Sequence, residues 1–308
     1  MAKTGISVVV VSWNTKDITD HCLHSLKEAV NFVKNRADVE VLVVENDSED
    51  GTPEMIEKKH PWVKLFKSGS DLGYAKGNNY GFARINPNNP YVLLINNDAF
   101  VQKDTLAKSL DYLEKHPECD VLGCGLRYED GRFQPSAGFL PTPRSVWGWL
   151  WGLDKFPVIK KYFDPVHPKD PAFFAETREV GWVMGAFLFM KREVFAKTNG
   201  FDENFFMYME EVEWCRRVHQ LGYKIWYVPE FTITHVDKAS AFGLPAELAK
   251  IFYKEIMGLM YYLKKHFPAE VGWATWAARG GIFFRLITFG LLGNSMRRGA
   301  YLKILKNL

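Results

Sequence analysis

Hydrophobic positions follow two alternating rules along the first hundred residues. Short unbroken β-branched runs alternate with apolar residues that recur every three or four positions, which is the signature of strand following helix following strand. Ile6 to Ser12 is the first such run, and after Trp13 to Asp17 the residues Ile18, Cys22, Leu23, Leu26, Ala29, Val30 and Val33 fall on one helical face. Val39 to Val44 is a second strand. It ends in the turn formers Glu45 to Thr52, with Pro53 at a plausible first helical position. Val63 to Phe66 is a short third strand. It leads into Gly73, Gly77 and Gly81 with Asn78 and Asn79, a helix start suited to close backbone approach to a ligand and to negative charge. Tyr91 to Ile95 is a fourth strand, apolar until it breaks into Asn96, Asn97 and Asp98. This order predicts an α/β fold with a mainly parallel, doubly wound sheet and right-handed crossovers. Asn96 to Asp98 then lie at the C-terminal edge, where open α/β sheets bind ligands. An Asn-x-Asp there can offer hard oxygens to a divalent cation, or it can form an ordinary Asx turn.

Downstream, Thr105 to His116 is predicted helical, Val121 to Arg127 a strand and Glu129 to Arg132 a turn. From residue 138 to 178 the periodicity dissolves into prolines, aromatics and mixed charge, so a long, partly mobile loop or lid is expected. Its Trp147, Trp149, Trp151 and Phe156 suit an acceptor, a membrane or the core equally. Val180 to Met190 reads as one buried strand and Lys191 to Phe195 as a short helix. Met207 to Leu221 reads as a helix closed by Gly222. Glu210 and Glu211 fall in that helix's first turn, where the dipole stabilises carboxylates, and Glu210 shares a face with Glu213. Lys224 to Val228 and Phe231 to Val236 are two closing strands, and Ala246 to His266 is a helix with a broad apolar face. The expected organisation is one domain over 1–245 and a C-terminal helical appendage over 246–308.

Composition narrows the classes. The chain has 308 residues, 47% hydrophobic and 24% charged, which is globular, and a net charge of +3 gives no case for nucleic acid. Cys22, Cys119, Cys124 and Cys215 form no CxxC pair and no zinc spacing, so reduced cytosolic thiols are expected. The N-terminus runs straight into a strand, so the active domain is expected on the cytoplasmic side. Charge is unevenly spread. After Glu270 no acidic residue occurs, while Arg279, Arg285, Arg297, Arg298, Lys303 and Lys306 are interspersed with Trp273, Trp276, Phe283, Phe284 and other apolar residues as far as Leu292. Arg279 and Arg285 interrupt the best spanning window. The expectation is peripheral helices lying in the interface of an anionic membrane. The alternative is a basic face packed on a partner subunit in a homo-oligomer. No GxGxxG follows the first strand and no GxxxxGK[ST] is present, which disfavours a dinucleotide site and a P-loop.

Six stretches in order carry a resemblance. They are Val8 to Asn14, Glu45-Asn46-x-Ser48-x-Asp50-Gly51, Asp71-x-Gly73 to Asn79, Asn96-Asn97-Asp98, Gly200 to Phe206 and Glu210 to Cys215. Over roughly residues 6 to 267 the chain resembles the family 2 inverting glycosyltransferases of the GT-A fold, and within them the bacterial rhamnosyltransferase-like group. The resemblance implies transfer of a sugar from a nucleoside diphosphate donor to an acceptor hydroxyl with inversion. It implies a divalent metal, Mg2+ or Mn2+, on Asp98, with His235 at the metal or pyrophosphate site. Asn96 stands in the first place of the family's Asp-x-Asp, facing ribose or a metal-bound water, with Asn97 beside it. Glu211 aligns with the Asp that is implied as general base for the acceptor hydroxyl and is one methylene longer, and Glu210 is the second candidate for that role. Glu45 is implied at the nucleotide base or ribose, grouped with Ser12, Asn14 and Asn46. Lys76 and the amides near Gly73 are implied near the diphosphate. Asp71 departs from the Asn that relatives commonly carry. The first-choice donor is dTDP-L-rhamnose, and the acceptor a polyprenyl-diphosphate-linked glycan in O-antigen, cell-wall or capsule assembly, which fits attachment to the cytoplasmic face of the cell membrane. The alternatives are a UDP-sugar donor, a catalytically silent sugar-binding scaffold, and a nucleotidyltransferase, although Trp13-Asn14-Thr15 is not that class's basic glycine-rich loop.

Overall fold

The computed structural model describes residues 3–156, 158–205, 207–236, 245–291 and 295–308. Phe206, Leu292 and the side chain of Arg297, which enter the expectations above, lie outside that set. The chain divides into two compact units, Met1–Ala137 with Lys169–Phe206 and Glu210–Asp237, and Gly138–Pro168 with Met207–Met209 and Lys238–Leu308.

The first unit is a ten-stranded mixed sheet with helices on it. β1 (Thr4–Ser12) lies between β2 (Ala37–Glu45) and β4 (Tyr91–Asn96), parallel to both. Its valines Val8, Val9 and Val10 have no exposed surface, as a strand covered on both faces requires. β3 (Lys64–Lys67) extends the parallel part beyond β2. On the other side of β4 the sheet continues through β11 (Phe187–Lys191), β6 (Val121–Arg127), β12 (Ile225–His235) and β5 (Ala99–Phe100). β11 runs antiparallel to both β4 and β6, so the sheet is less uniformly parallel than the alternation predicts. The short strands β7 (Phe133–Gln134) and β9 (Arg178–Glu179) pair with β6 and β12, and β8 (Ala137–Gly138) with β10 (Trp182–Val183) forms a separate ribbon.

Three elements depart from expectation, each for an identifiable reason. The run Val180 to Met190 is broken between β10 and β11, because a Cβ on Gly185 would stand 2.5 Å from the Tyr74 hydroxyl and the chain turns beneath that side chain. The two closing strands are one strand, β12, with a register shift between Val228 and Thr232, where Pro229 has no N–H for the ladder. The helix expected from Met207 begins at Glu210, because Tyr208 and Met209 both take left-handed backbone (φ 73° and 76°), costly for residues with a Cβ.

Helices α1 (Lys16–Val33), α2 (Thr52–Lys59), α3 (Gly73–Phe82), α4 (Thr105–Lys115), α6 (Arg192–Lys197) and α7 (Glu210–Gln220) belong to this unit. The glycines expected to admit a ligand do something else in part. A Cβ on Gly77 would meet Val11 Cγ1 at 2.8 Å, and one on Gly81 would meet Val9 Cγ1 at 2.4 Å, so α3 uses these positions to lie close on β1. At the N-terminal edge of the sheet Glu40 accepts from Ser7 Oγ (2.6 Å), Lys64 Nζ (2.6 Å) and the Asn86 amide (2.5 Å), joining β1, β2, β3 and the loop before β4.

The second unit is helical. The stretch expected to be structureless forms α5 (Pro143–Trp151), started by a reciprocal Thr142–Ser145 capping box with Pro143 in the first turn, and then short 3-10 turns. α8 (Pro245–His266), α9 (Val271–Leu291) and α10 (Ser295–Asn307) complete it. Arg285 Nε of α9 donates to Leu150 O at 2.7 Å, Trp151 Nε1 donates to Ala277 O at 2.9 Å, and Tyr262 Oη of α8 donates to Pro141 O at 3.0 Å.

Candidate functional site

Register places the polar strand ends side by side. Ser12 pairs with Glu45, Val11 with Asn96, and Glu45 with Lys67, so Ser12, Glu45 and Asn97 emerge at one level of the C-terminal edge. Ser12 Oγ lies 2.9 Å from Thr19 Oγ1, and Asn97 Nδ2 donates to Thr15 Oγ1 and, at 3.1 Å, to Thr19 Oγ1. Asn97 and Ser12 therefore lock the start of α1 to the end of β4. Backbone pairing brings the other end of the sheet to the same place. His235 of β12 pairs with Ala99, and Val236 N donates to Asp98 O at 2.9 Å.

Asp98, His235 and Asn96 form the tightest cluster. His235 is buried, and its Nε2 is 3.3 Å from Asp98 Oδ1 and 3.4 Å from Asn96 Nδ2. Its other nitrogen, Nδ1, lies 3.2 Å from Gln134 Oε1. An amide oxygen only accepts, so Nδ1 carries the hydrogen and a neutral His235 turns the Nε2 lone pair toward the Asp98 carboxylate. The Asn96 Nδ2–H faces the same lone pair, so a cation bridging Nε2 and Asp98 Oδ1 would take the place of that long contact. Asn96 Oδ1 is in addition a buried oxygen with no hydrogen-bond partner among the described residues. One carboxylate, one imidazole nitrogen oriented from behind and one uncommitted amide oxygen are a donor set that fits a divalent cation. Three or more His, Cys, Asp or Glu side chains do not converge on one point among the described residues, so any cation held here draws on Asn96 or on its substrate for further ligands.

α7 brings the carboxylates of its first turn to this neighbourhood. Glu213 is fully buried and receives Arg217 in a double contact, Nε at 3.0 Å and Nη2 at 2.9 Å. Arg217 Nη2 also donates to Gly200 O at 2.8 Å, so that pair is a brace for the 198–205 segment. Glu210 is buried on the same face, as spacing predicts, whereas Glu211 is partly exposed. Tyr74 links the two halves. Its hydroxyl donates to Gly185 O at 2.8 Å, and the phenol is held well above its ordinary range by burial first, then by the negative charges of Glu211 and Glu210 and, more weakly, of Asp98. Three carboxylates from β4's end and α7 thus act on one buried phenol.

The remaining sequence candidates separate into loop braces and side chains that stand apart. Asn14, with φ 47°, accepts from Glu49 N at 2.9 Å and donates its own N–H to Ser48 Oγ at 2.8 Å. Glu45 is buried and accepts from Ser48 N at 2.8 Å. Asn46 donates to Gly73 O at 3.3 Å, joining the loop after β2 to the start of α3, while its Oδ1 is buried with no partner among the described residues. Asp71 accepts from Gly73 N at 2.9 Å, an Asx turn that sets the left-handed Gly73 (φ 69°). Lys76 is half exposed and 4.0 Å from Glu203. Sequence reasoning passed over Gln134, Thr15, Thr19 and Tyr74. Tyr74 stands inside the Asp71 to Asn79 stretch, whereas Gln134 lies on a two-residue strand with no pattern to mark it.

The chain's residues 7–198 match the family model for glycosyl transferase family 2. It is 27% identical to the N-acetylglucosaminyl-diphospho-decaprenol L-rhamnosyltransferase of Mycobacterium tuberculosis, covering 95% of this chain and 96% of that protein. It is 24% identical to rhamnosyltransferase WbbL of Escherichia coli, covering 75% of this chain and 83% of that protein. Among solved structures, mannosyltransferase PcManGT from Pyrobaculum calidifontis, in complex with GDP-Man and Mn2+, is similar with a TM-score of 0.56 at 17% identity, over 99% of this chain and 86% of that one. That likeness bears on the fold, and the mixed, mostly parallel sheet with flanking helices is the GT-A arrangement. With the sheet edge, its polar strand ends and more than half the length matched by one family model, the chain belongs to glycosyl transferase family 2.

Proposed function

We propose that the chain transfers L-rhamnose from dTDP-L-rhamnose, with inversion, to a hydroxyl of a polyprenyl-diphosphate-linked glycan at the cytoplasmic face of the membrane. The observation that carries this reading is the cluster of Asp98 Oδ1, His235 Nε2 and the uncommitted Asn96 Oδ1 at the C-terminal edge of the sheet, with α7's carboxylates acting on the neighbouring Tyr74. The names of the relatives, which specify rhamnosyl transfer and in one case L-rhamnose with an N-acetylglucosaminyl-diphospho-decaprenol acceptor, support the choice of sugar and acceptor.

Asp98, His235 and Asn96 would hold a divalent cation, Mg2+ or Mn2+. Bound there it supplies Lewis-acid neutralisation of the charge that develops on the leaving diphosphate. Glu211, the less buried of the two opening carboxylates of α7, takes the proton of the acceptor hydroxyl as its oxygen bonds to the anomeric carbon. The bond from that carbon to the diphosphate breaks on the opposite face, and nucleoside diphosphate leaves. Gln134 keeps His235 in the tautomer that presents Nε2. Asn97, Ser12 and the threonines of α1 hold the strand end that carries Asp98, and Glu45 and Asn46 border the loops at which ribose and base would rest.

Incubating the full chain with dTDP-L-rhamnose or with UDP-sugars, and with a polyprenyl-diphosphate-linked N-acetylglucosamine acceptor, tests the reading. NMR of the product should show one rhamnose added from dTDP-L-rhamnose, with anomeric configuration opposite to that of the donor. Retained configuration, or transfer from UDP-sugars alone, would contradict it.

A further inference from the structure

Helix α9 is built inside out. Its small residues Ala274, Ala277, Ala278 and Gly281 are turned inward together with Ile282, and a Cβ on Gly281 would lie 3.1 Å from the Leu150 backbone, so this side is pressed against α5. Its large residues Trp273, Trp276, Phe283, Phe284, Ile287 and Leu291 are exposed, Trp276 at 77% and Leu291 at 84%. At 3.6 residues per turn those six positions fall within an arc of about 100°. A soluble helix normally buries this stripe and exposes its small and polar positions.

Charge says what covers the stripe. From Val271 to Leu308 there are six Lys or Arg side chains and no carboxylate side chain. Arg279 is exposed on the flank of the stripe, and Arg298, Lys303 and Lys306 are exposed on α10. A second copy of the same surface would bring like charges together, whereas an anionic lipid surface offers both apolar depth and phosphates. No helix among the described residues is long and apolar enough to cross a membrane, so the stripe is oriented for lying in the interface plane, where Trp side chains settle at headgroup depth.

We propose that the Trp273–Leu291 face of α9 is a docking surface for an anionic phospholipid bilayer, with Arg279 and the cations of α10 on the lipid phosphates. This deepens the reading of a lipid-linked acceptor by naming the face, and it rests on that reading for its purpose alone. The test is flotation of the full chain with phosphatidylcholine vesicles with and without phosphatidylglycerol, for the wild type, the double variant W276S/F283S and the double variant R279E/R298E. Both pairs of side chains are exposed, so folding is retained and circular dichroism checks it. Wild type should float with the anionic vesicles and much less with the neutral ones. The aromatic variant should lose about tenfold or more of its vesicle affinity, because interfacial binding scales with apolar area buried, and the charge variant should lose the preference for phosphatidylglycerol. Unchanged flotation of W276S/F283S overturns the proposal. So does conversion of a dimer to a monomer in light scattering with flotation unchanged, which would mark the stripe as a contact between copies. Flotation uses neither donor nor acceptor, so its failure is separate from failure of the transfer reaction.

Discussion

His235 carries two demands on one ring, since Gln134 fixes the hydrogen on Nδ1 and Asp98 faces Nε2. The cluster should therefore respond to loss of charge more than to loss of shape. Asp98→Asn preserves volume and is expected to lose Mn2+-dependent binding of dTDP by about tenfold or more in calorimetry, as removal of a charged ligand from a two- or three-ligand site does. Binding that stays equally metal-dependent would contradict the site. Tyr74→Phe removes the hydroxyl that donates to Gly185 O at a buried position, and should cost about 1–2 kcal/mol in urea unfolding. The placement of Asp98 just past the end of β4 and of Glu211 in the first turn of α7 is legible in the sequence because each stands in a motif at the edge of an element. That of Gln134 is not, because its contribution is made across the sheet from a strand of two residues. Motifs also concealed a division of labour: Asn14, Asp71 and Asn97 spend hydrogen bonds on neighbouring loops and on α1, work that the same residue types do in any tight turn.

At the scale of elements, α3 and the N-terminal sheet edge make separable predictions. Gly81→Ala drives a methyl to 2.4 Å from Val9 Cγ1 and should destabilise by about 1–3 kcal/mol, the usual cost of overpacking, read as a lowered melting temperature. Glu40 lies far along β2 from the candidate site and tests pH dependence independently of it. Burial works to raise its pKa, but the hydrogen bonds from Lys64, Ser7 and the Asn86 amide outweigh burial and hold it below the ordinary glutamate value. A carboxylate depressed in the folded state contributes stability above its unfolded pKa of about 4.3 and loses it as pH falls through the lower folded value. Glu40→Gln should thus cost about 1–2 kcal/mol at neutral pH, discounted for its partial exposure. In urea unfolding the gap to wild type should narrow as pH drops below about 4.3; a gap independent of pH would show that the pairing does not titrate. The alternating elements up to β4 could be read from periodicity alone. The split of Val180 to Met190 could not, since it depends on Tyr74, more than a hundred positions away in sequence.

For the whole molecule, the sequence marked the family and the sheet edge but not the membership of residues 138–168. Their weak periodicity hid α5, whose partners, Ala277 and Arg285, come from the far end of the chain. Arg279 and Arg285 interrupt the apolar run in the sequence, but the run does not tell its sides apart: on α9 the small residues are the packed side, and the aromatic residues named above are the outer one. The function proposed for the first unit stands or falls on a base that acts on the acceptor without holding the donor. The direct measurement is the transfer rate and the dTDP affinity of Glu211→Gln, side by side with wild type. Transfer is expected to fall by about 10²–10⁴-fold, the range a general base supplies, with dTDP affinity in the presence of Mn2+ kept within about twofold. Unchanged turnover would contradict the account, and equal losses of binding and transfer would show that Glu211 holds the nucleotide and does not act as the base.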